Sequence, residues 1–418
     1  MQTIRMLMAA GAATVLATAG LTIGATGAAR AADPIKIGFG MAETGGLAGN
    51  GKAALFAIET WAEEVNAKGG LLGRKVELVH YDDQSNPSLV PGIYTKLLDV
   101  DKVDLVISGY GTNLTAPAMP IVMQHNMVFM SNFALAVNDQ FHYDRYFQIF
   151  PQGPDARHEF SRHFIEVALA QKPQPKTIAL VGGDAEYPQI ALSGARDNLK
   201  GTPLKVVYDK TYPPNTVDYT PIVRAIQAVN PDVLFIASYP PDTVGFVHAI
   251  HEVGLKPKIV GGGMVGLQFA AIKTQLGPMI NGIVNYDLYV PSPTIKRPTL
   301  EAFLQKYQAK AAGAGIDQLG FYLPPFAYSG VQVYEQAVKA VGSLDQGKLA
   351  QYIHAHEFDT MVGHITFADN GEWAKPGMLE VQFQGIKDNS LETFRKASTY
   401  TILYPPDEKS GTIVYPYK

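Results

Sequence analysis

Cysteine is absent from the 418 residues, which removes disulfides, thiolate metal sites, cysteine nucleophiles and a lipid-modified N-terminal cysteine together. Charge is sparse as well: 17% of the residues are Asp, Glu, Lys or Arg, and the formal net charge is −4. There is no basic run, so nothing favours a nucleic-acid partner. Long apolar runs are missing with one exception, residues 7–23, which follow Arg5 and precede Ala29-Arg30-Ala31. That order is the basic start, apolar middle and small-x-small cleavage site of a secretory signal, predicted over 1–31 with cleavage before Ala32. No other run is long enough to span a bilayer, so the expected mature protein is soluble, exported to the periplasm and stabilised by a large core. Its length suits two lobes better than one ordinary domain.

Glycine and alternating apolar residues are plentiful where the mature chain begins. Ile35, Ile37 and Phe39 alternate as a strand, and residues 41–51 form a glycine-rich loop carrying Thr44. Ala54, Ile58, Trp61, Ala62 and Val65 then recur on one helical face. A loop at the carboxyl end of a first strand is a ligand-facing position in an open α/β sheet. Its glycines are expected to let backbone approach a ligand closely.

The same grammar repeats. Strands are predicted at 75–81, 104–108 and 127–130, with helices at 89–99 and 116–125 between them. The pattern pauses around 147–154 and restarts with a helix at 156–171, a strand at 177–181 and a helix at 189–200. Strands at 206–208, 233–237 and 258–260 alternate with helices at 222–229 and 243–253. Such alternation predicts parallel sheets with right-handed crossovers. A return linker at 291–298, helices at 299–311 and 323–341, and antiparallel material at 360–367 and 378–384 complete the chain.

Catalytic and cofactor signatures fail on spacing. Gly38-Phe39-Gly40 lacks the third glycine of a dinucleotide fingerprint, as does Gly261-Gly262-Gly263. His248 with His251 and His354 with His356 have no neighbouring ligand set, so no metal site is expected. No Gly-x-Ser-x-Gly elbow is present, and no catalytic residue or cofactor is assigned.

Several segments together carry a resemblance: the opening strand and loop, Glu63-Glu64-Val65-Asn66-Ala67-Lys68-Gly69-Gly70-Leu71-Leu72-Gly73, Asp82-Asp83-Gln84-Ser85-Asn86-Pro87, Ala237-Ser238-Tyr239-Pro240-Pro241-Asp242, Phe358-Asp359-Thr360-Met361-Val362-Gly363 and Phe367-Ala368-Asp369-Asn370-Gly371. Across nearly the whole mature chain they resemble the periplasmic substrate-binding proteins of ABC importers, in the leucine/isoleucine/valine-binding family. The resemblance implies a type I periplasmic binding fold, an α/β protein of two Rossmann-like parallel-sheet lobes joined by three hinge crossings. The crossings are expected near Pro151, Leu288 and Phe358. One lobe would hold 32–151 plus 289–357, the other 152–288 plus 359–418. It also implies a non-enzymatic, monomeric receptor that closes on a small-molecule carboxylate and delivers it to a membrane permease.

Carried onto this chain, the family's carboxylate cradle falls on Thr112, Asn113, Ser131, Asn132 and Ala134, with Thr44 added at the polar end. Tyr187 and Tyr239 match second-lobe tyrosines. The acidic residue that meets an amino-acid ammonium in the family aligns with the expected turn at Gly261-Gly262-Gly263-Met264, so Gly263 stands where a carboxylate is needed. A buried ammonium without a counter-charge costs several kcal/mol. Tyr110, Phe133, Phe269, Tyr286 and Tyr322 add rings near the cleft, so an aromatic carboxylate is the expected ligand. Branched-chain or other amino acids, or an amide, remain open if Asp184, Glu186 or Asp242 supplies the charge. An exported enzyme or a sensory module on the same fold is the alternative of another class.

Overall fold

A computed structural model describes residues 33–418; the expected signal segment and its cleavage point lie outside the described residues. The apolar alternation of Ile35, Ile37 and Phe39 becomes β1 (Ile35–Met41), all three side chains fully buried. It is joined in the first sheet by β2 (Val76–Asp82), β3 (Leu105–Tyr110), β4 (Phe129–Asn132) and β5 (Tyr146–Gln148), in spatial order β2-β1-β3-β4-β5. All four pairings are parallel, as crossover helices require.

The second sheet contains β6 (Thr177–Gly183), β7 (Lys205–Tyr212), β8 (Val233–Ser238), β9 (Ile259–Met264) and β10 (Val284–Asp287) in parallel. After a small hairpin, β11 (Phe358–Thr360) with β12 (Gly363–Ile365), the chain adds β13 (Leu379–Phe383) and β14 (Tyr400–Tyr404) antiparallel at its edge. The order is β14-β13-β10-β9-β8-β6-β7. Two parallel-sheet α/β lobes are therefore present, as expected. Among the described residues no helix is long and apolar enough to cross a membrane.

Three strands, β5, β10 and β14, escaped the periodicity. β5 lies in the pause around 147–154, and β10 is four residues long and ends just before the linker, so neither offers a full alternating run. Conversely, the expected turn at 261–264 is the end of β9, paired with β8 and, through Gly261 and Gly262, with β10. Glycine is required there by packing: a Cβ on Gly261 would stand 1.7 Å from the Val284 carbonyl oxygen.

The glycine-rich loop also differs from expectation. The first helix begins at Ala48, inside the predicted loop, and a Cβ on Gly51 would lie 2.0 Å from the carbonyl oxygen of Ala42. That glycine lets helix meet strand, which is backbone packing rather than ligand approach. The helix Ala48–Ala67 packs against Leu323–Val341, and the fully buried Trp61 donates from its indole N–H to Glu335 Oε2 at 2.8 Å. Truncating a buried Trp leaves a large void, so Trp61→Ala is expected to lower unfolding free energy by about 3–5 kcal/mol, measured by urea denaturation.

Candidate functional site

The carboxyl ends of strands from both sheets converge on one narrow pocket. Tyr110 is the last residue of β3, Phe133 follows β4, and Phe150 lies just beyond β5. From the other sheet come Tyr187 beyond β6, Tyr239 directly after β8, Val265 directly after β9 and Tyr286 within β10. Gly111, Thr112, Leu135 and Tyr322 complete the lining of a cavity of about 10 Å³. That is room for roughly one water molecule, so the lobes stand closed and a larger molecule must enter by their parting.

The rings form one continuous wall. Phe133 stacks on Phe150 at 4.7 Å between centroids, meets Tyr322 edge-on at 4.8 Å, and touches Phe326 behind. Tyr187 and Tyr239 lie 5.3 Å apart, and Phe160 bridges Tyr187 to Tyr286. No ionisable carboxyl or cationic side chain is among the described residues lining the cavity. Burial pushes the phenols of Tyr110, Tyr187, Tyr239, Tyr286 and Tyr322 well above the ordinary range, so they stay protonated as donors across physiological pH.

Gln148 holds the first-lobe wall in place. Its carboxamide oxygen accepts the backbone N–H of Phe133 at 3.2 Å and of Phe150 at 3.0 Å, and its nitrogen donates to the Ala134 carbonyl at 2.6 Å. Phe133 has φ +60°, a left-handed conformation costly for an aromatic residue, which these bonds sustain. Only tertiary pairing reveals this: Gln148 sits across from Ser131 in the β4–β5 register.

Of the residues singled out in sequence, Tyr110, Thr112, Phe133, Tyr187 and Tyr239 line the cavity, as do Tyr286 and Tyr322. Others have internal partners. The Ser131 hydroxyl faces Gln148, Asn132 donates to the Ser108 carbonyl, and Ala134 presents its carbonyl to Gln148. Thr44 is exposed and donates to Asp82 Oδ2 at 2.6 Å, tying the glycine-rich loop to the turn after β2. The Gly263 carbonyl accepts the Tyr187 hydroxyl at 2.7 Å. Phe269 faces a separate depression shared with Gly49. Phe150, Leu135 and Val265 were not signalled by the sequence, since each follows a strand end without motif or periodicity.

Asn113 has a different position. Its carboxamide oxygen accepts the Tyr187 backbone N–H at 3.1 Å and the Tyr239 hydroxyl at 2.9 Å, linking the first lobe to two segments of the second. Outside this link lies a wider vestibule of about 690 Å³, where Asp184 and Asp242 are found. Asp242 accepts the hydroxyls of Tyr212 and Tyr219, each at 2.9 Å, and burial raises its carboxyl above the usual range. Glu186 is half-buried and likewise raised by desolvation, and it is not among the cavity residues. Among the described residues there is no cluster of potential ligands able to hold a metal ion. Gln148→Leu would strand two buried N–H groups, each costing about 1–3 kcal/mol. Its urea midpoint should fall accordingly, with no change in far-ultraviolet circular dichroism.

Residues 34–385 match the family model described as periplasmic binding protein. The Leu/Ile/Val-binding protein homolog 7 of Brucella abortus (strain 2308) is 27% identical over 376 residues, covering 86% of this chain and 92% of that one. Among solved structures, the branched-chain amino acid transporter substrate-binding protein LivJ of Streptococcus pneumoniae, in complex with isoleucine, superposes with a TM-score of 0.70 at 20% identity, covering 89% of this chain and all of that one. An ABC transporter solute-binding protein from R. palustris, in complex with benzoate, gives 0.72 at 19%, covering 88% and 95%. With the family model spanning most of its length and both lobes in place, the chain belongs to the periplasmic binding protein family.

Proposed function

We propose that this protein is the periplasmic receptor of an ABC importer and that it captures an aromatic carboxylate between its lobes. The carrying observation is the cavity wall: seven of its eleven lining residues are Phe or Tyr, and none bears a charge. Stacking surfaces suit an aromatic ring. An α-amino acid would bring its ammonium into a space without a carboxylate, at a cost of several kcal/mol. A carboxylate is better served. The Thr112 oxygen accepts the Leu135 N–H at 2.9 Å, and its own proton has no protein acceptor among the described residues, leaving a donor for the ligand. Solute-binding proteins act by binding and lobe closure, with no chemical step.

The division into lobes belongs to this reading. We place the crossings at 149–155, at 288–297 and at 366–378, the last shifted from Phe358. The strand β11 packs against the helix Leu323–Val341, with Asp359 and Met361 bonded to Gln336 and Gln332, and the chain re-enters the second sheet only at Leu379. The molecule acts as a monomer, with the permease as its membrane partner and the signal segment as its route of export.

Amino acids remain the second reading, favoured by the B. abortus relative. Thermal-shift titration separates them, because a ligand at 100 times its dissociation constant adds about 2.7 kcal/mol to stability. Benzoate or cinnamate should raise the melting temperature, while leucine and phenylalanine should not. Stabilisation by leucine alone would overturn the aromatic reading.

Asn113→Ala tests closure. Loss of an acceptor for two interlobe donors disfavours the closed form by about 1–3 kcal/mol. Affinity for the stabilising acid should drop about fivefold or more by calorimetry, and small-angle scattering should show a larger radius of gyration at equal ligand concentration.

A further inference from the structure

Three hydroxyls meet inside the cavity from three separate segments. Tyr322, at the start of the helix Leu323–Val341, stands between Tyr286 of the second sheet and Tyr110 of the first. The Tyr286 and Tyr322 oxygens are 3.0 Å apart, and those of Tyr110 and Tyr322 are 3.4 Å apart. All three side chains are nearly inaccessible, at 2%, 1% and 4% exposure for Tyr110, Tyr286 and Tyr322.

Counting protons makes the chain incomplete. Three hydroxyls carry three protons, and two contacts can use only two, so one O–H is left without an acceptor among the described residues. The Tyr110 contact is also loose, since a good hydroxyl pair stands about 2.7–2.8 Å apart. The other two tyrosine hydroxyls of the wall are engaged, Tyr187 with Gly263 and Tyr239 with Asn113. A buried donor without an acceptor is costly. The trio therefore calls for one more oxygen that can accept a hydrogen bond.

We propose that the Tyr110, Tyr322 and Tyr286 hydroxyls receive a ring hydroxyl of the ligand, so that the preferred ligands are phenolic aromatic acids rather than unsubstituted ones. This rests on the aromatic-carboxylate reading and narrows it. With Thr112 at the carboxylate end, the trio reads the opposite or adjacent edge of the ring. The phenol oxygen accepts the spare O–H, and with its carboxylate held at Thr112 benzoate presents only a bare ring edge there. A site built to hydrogen-bond a substrate hydroxyl discriminates strongly against the analogue lacking it. Because Tyr110 and Tyr286 come from different sheets, the same oxygen also ties the lobes together.

Calorimetric titration of the purified protein with benzoate, 3-hydroxybenzoate, 4-hydroxybenzoate and 3,4-dihydroxybenzoate tests this, with leucine as the control. At least one hydroxylated acid should bind tenfold or more tightly than benzoate. Tyr322→Phe should bring that ratio below about threefold. Tyr110→Phe, at the loose end of the chain, should act in the same direction. Benzoate binding as tightly as every hydroxylated acid would overturn the inference and leave the aromatic reading standing. A preference that survives both substitutions would likewise overturn it. Leucine binding with no response to any of the four acids would overturn both together.

Discussion

Buried polar groups must find partners, and nowhere is the demand heavier than where parallel strands end. Each strand leaves N–H and C=O groups unpaired at its carboxyl edge, and here two sheets bring such edges to one gap. The protein meets the demand mainly with neutral carboxamides. Gln148 serves Phe133, Ala134 and Phe150 within the first lobe, and Asn113 serves Tyr187 and Tyr239 across the gap. With the polar ends absorbed in this way, the face left to the cavity is made of rings. An apolar cavity with few free hydroxyls is thus a consequence of how the strand ends are satisfied.

Charge is kept at a distance by the same economy. In the second lobe Lys273 is fully buried, its ammonium 5.2 Å from the Tyr400 ring centroid and 5.6 Å from that of Phe383, and burial lowers its pKa. Asp287 nearby is pushed up to about 6 by desolvation, partly opposed by that lysine. Asp317 accepts the N–H groups of Ala270 and Gly320. Lys273 belongs to the helix Ala270–Leu276, and all three groups lie outside the cavity lining, while Asp184 and Asp242 lie in the vestibule. A ligand in the cavity therefore meets hydroxyls and rings first.

Hydroxyl-bearing and glycine residues were the least readable from their positions in the chain. Ser131, Asn132 and Thr44 have the chemistry of a carboxylate cradle, yet each is engaged by a residue far away in sequence: Gln148, Ser108 and Asp82. Gly51 and Gly261 look like flexible loop glycines, and both are required by backbone atoms pressed against them. The aromatic residues fared better. A ring after a strand end keeps its chemical meaning wherever the strand lies, and Tyr110, Phe133, Tyr187, Tyr239, Tyr286 and Tyr322 all reach the same space.

Local pattern was sufficient for the alternation of strand and helix, the two-lobed α/β class and the absence of thiol chemistry, because each depends on spacing or composition along a short stretch. The family resemblance likewise rested on contiguous segments. What only the tertiary structure decided was which polar atoms remain free. Hydrogen bonds from Gln148 and Asn113, the short strands β5 and β10, and the convergence of three tyrosine hydroxyls all depend on parallel register between distant segments. Register is set by packing of whole sheets, and a donor is free or engaged only once that packing has chosen its neighbour.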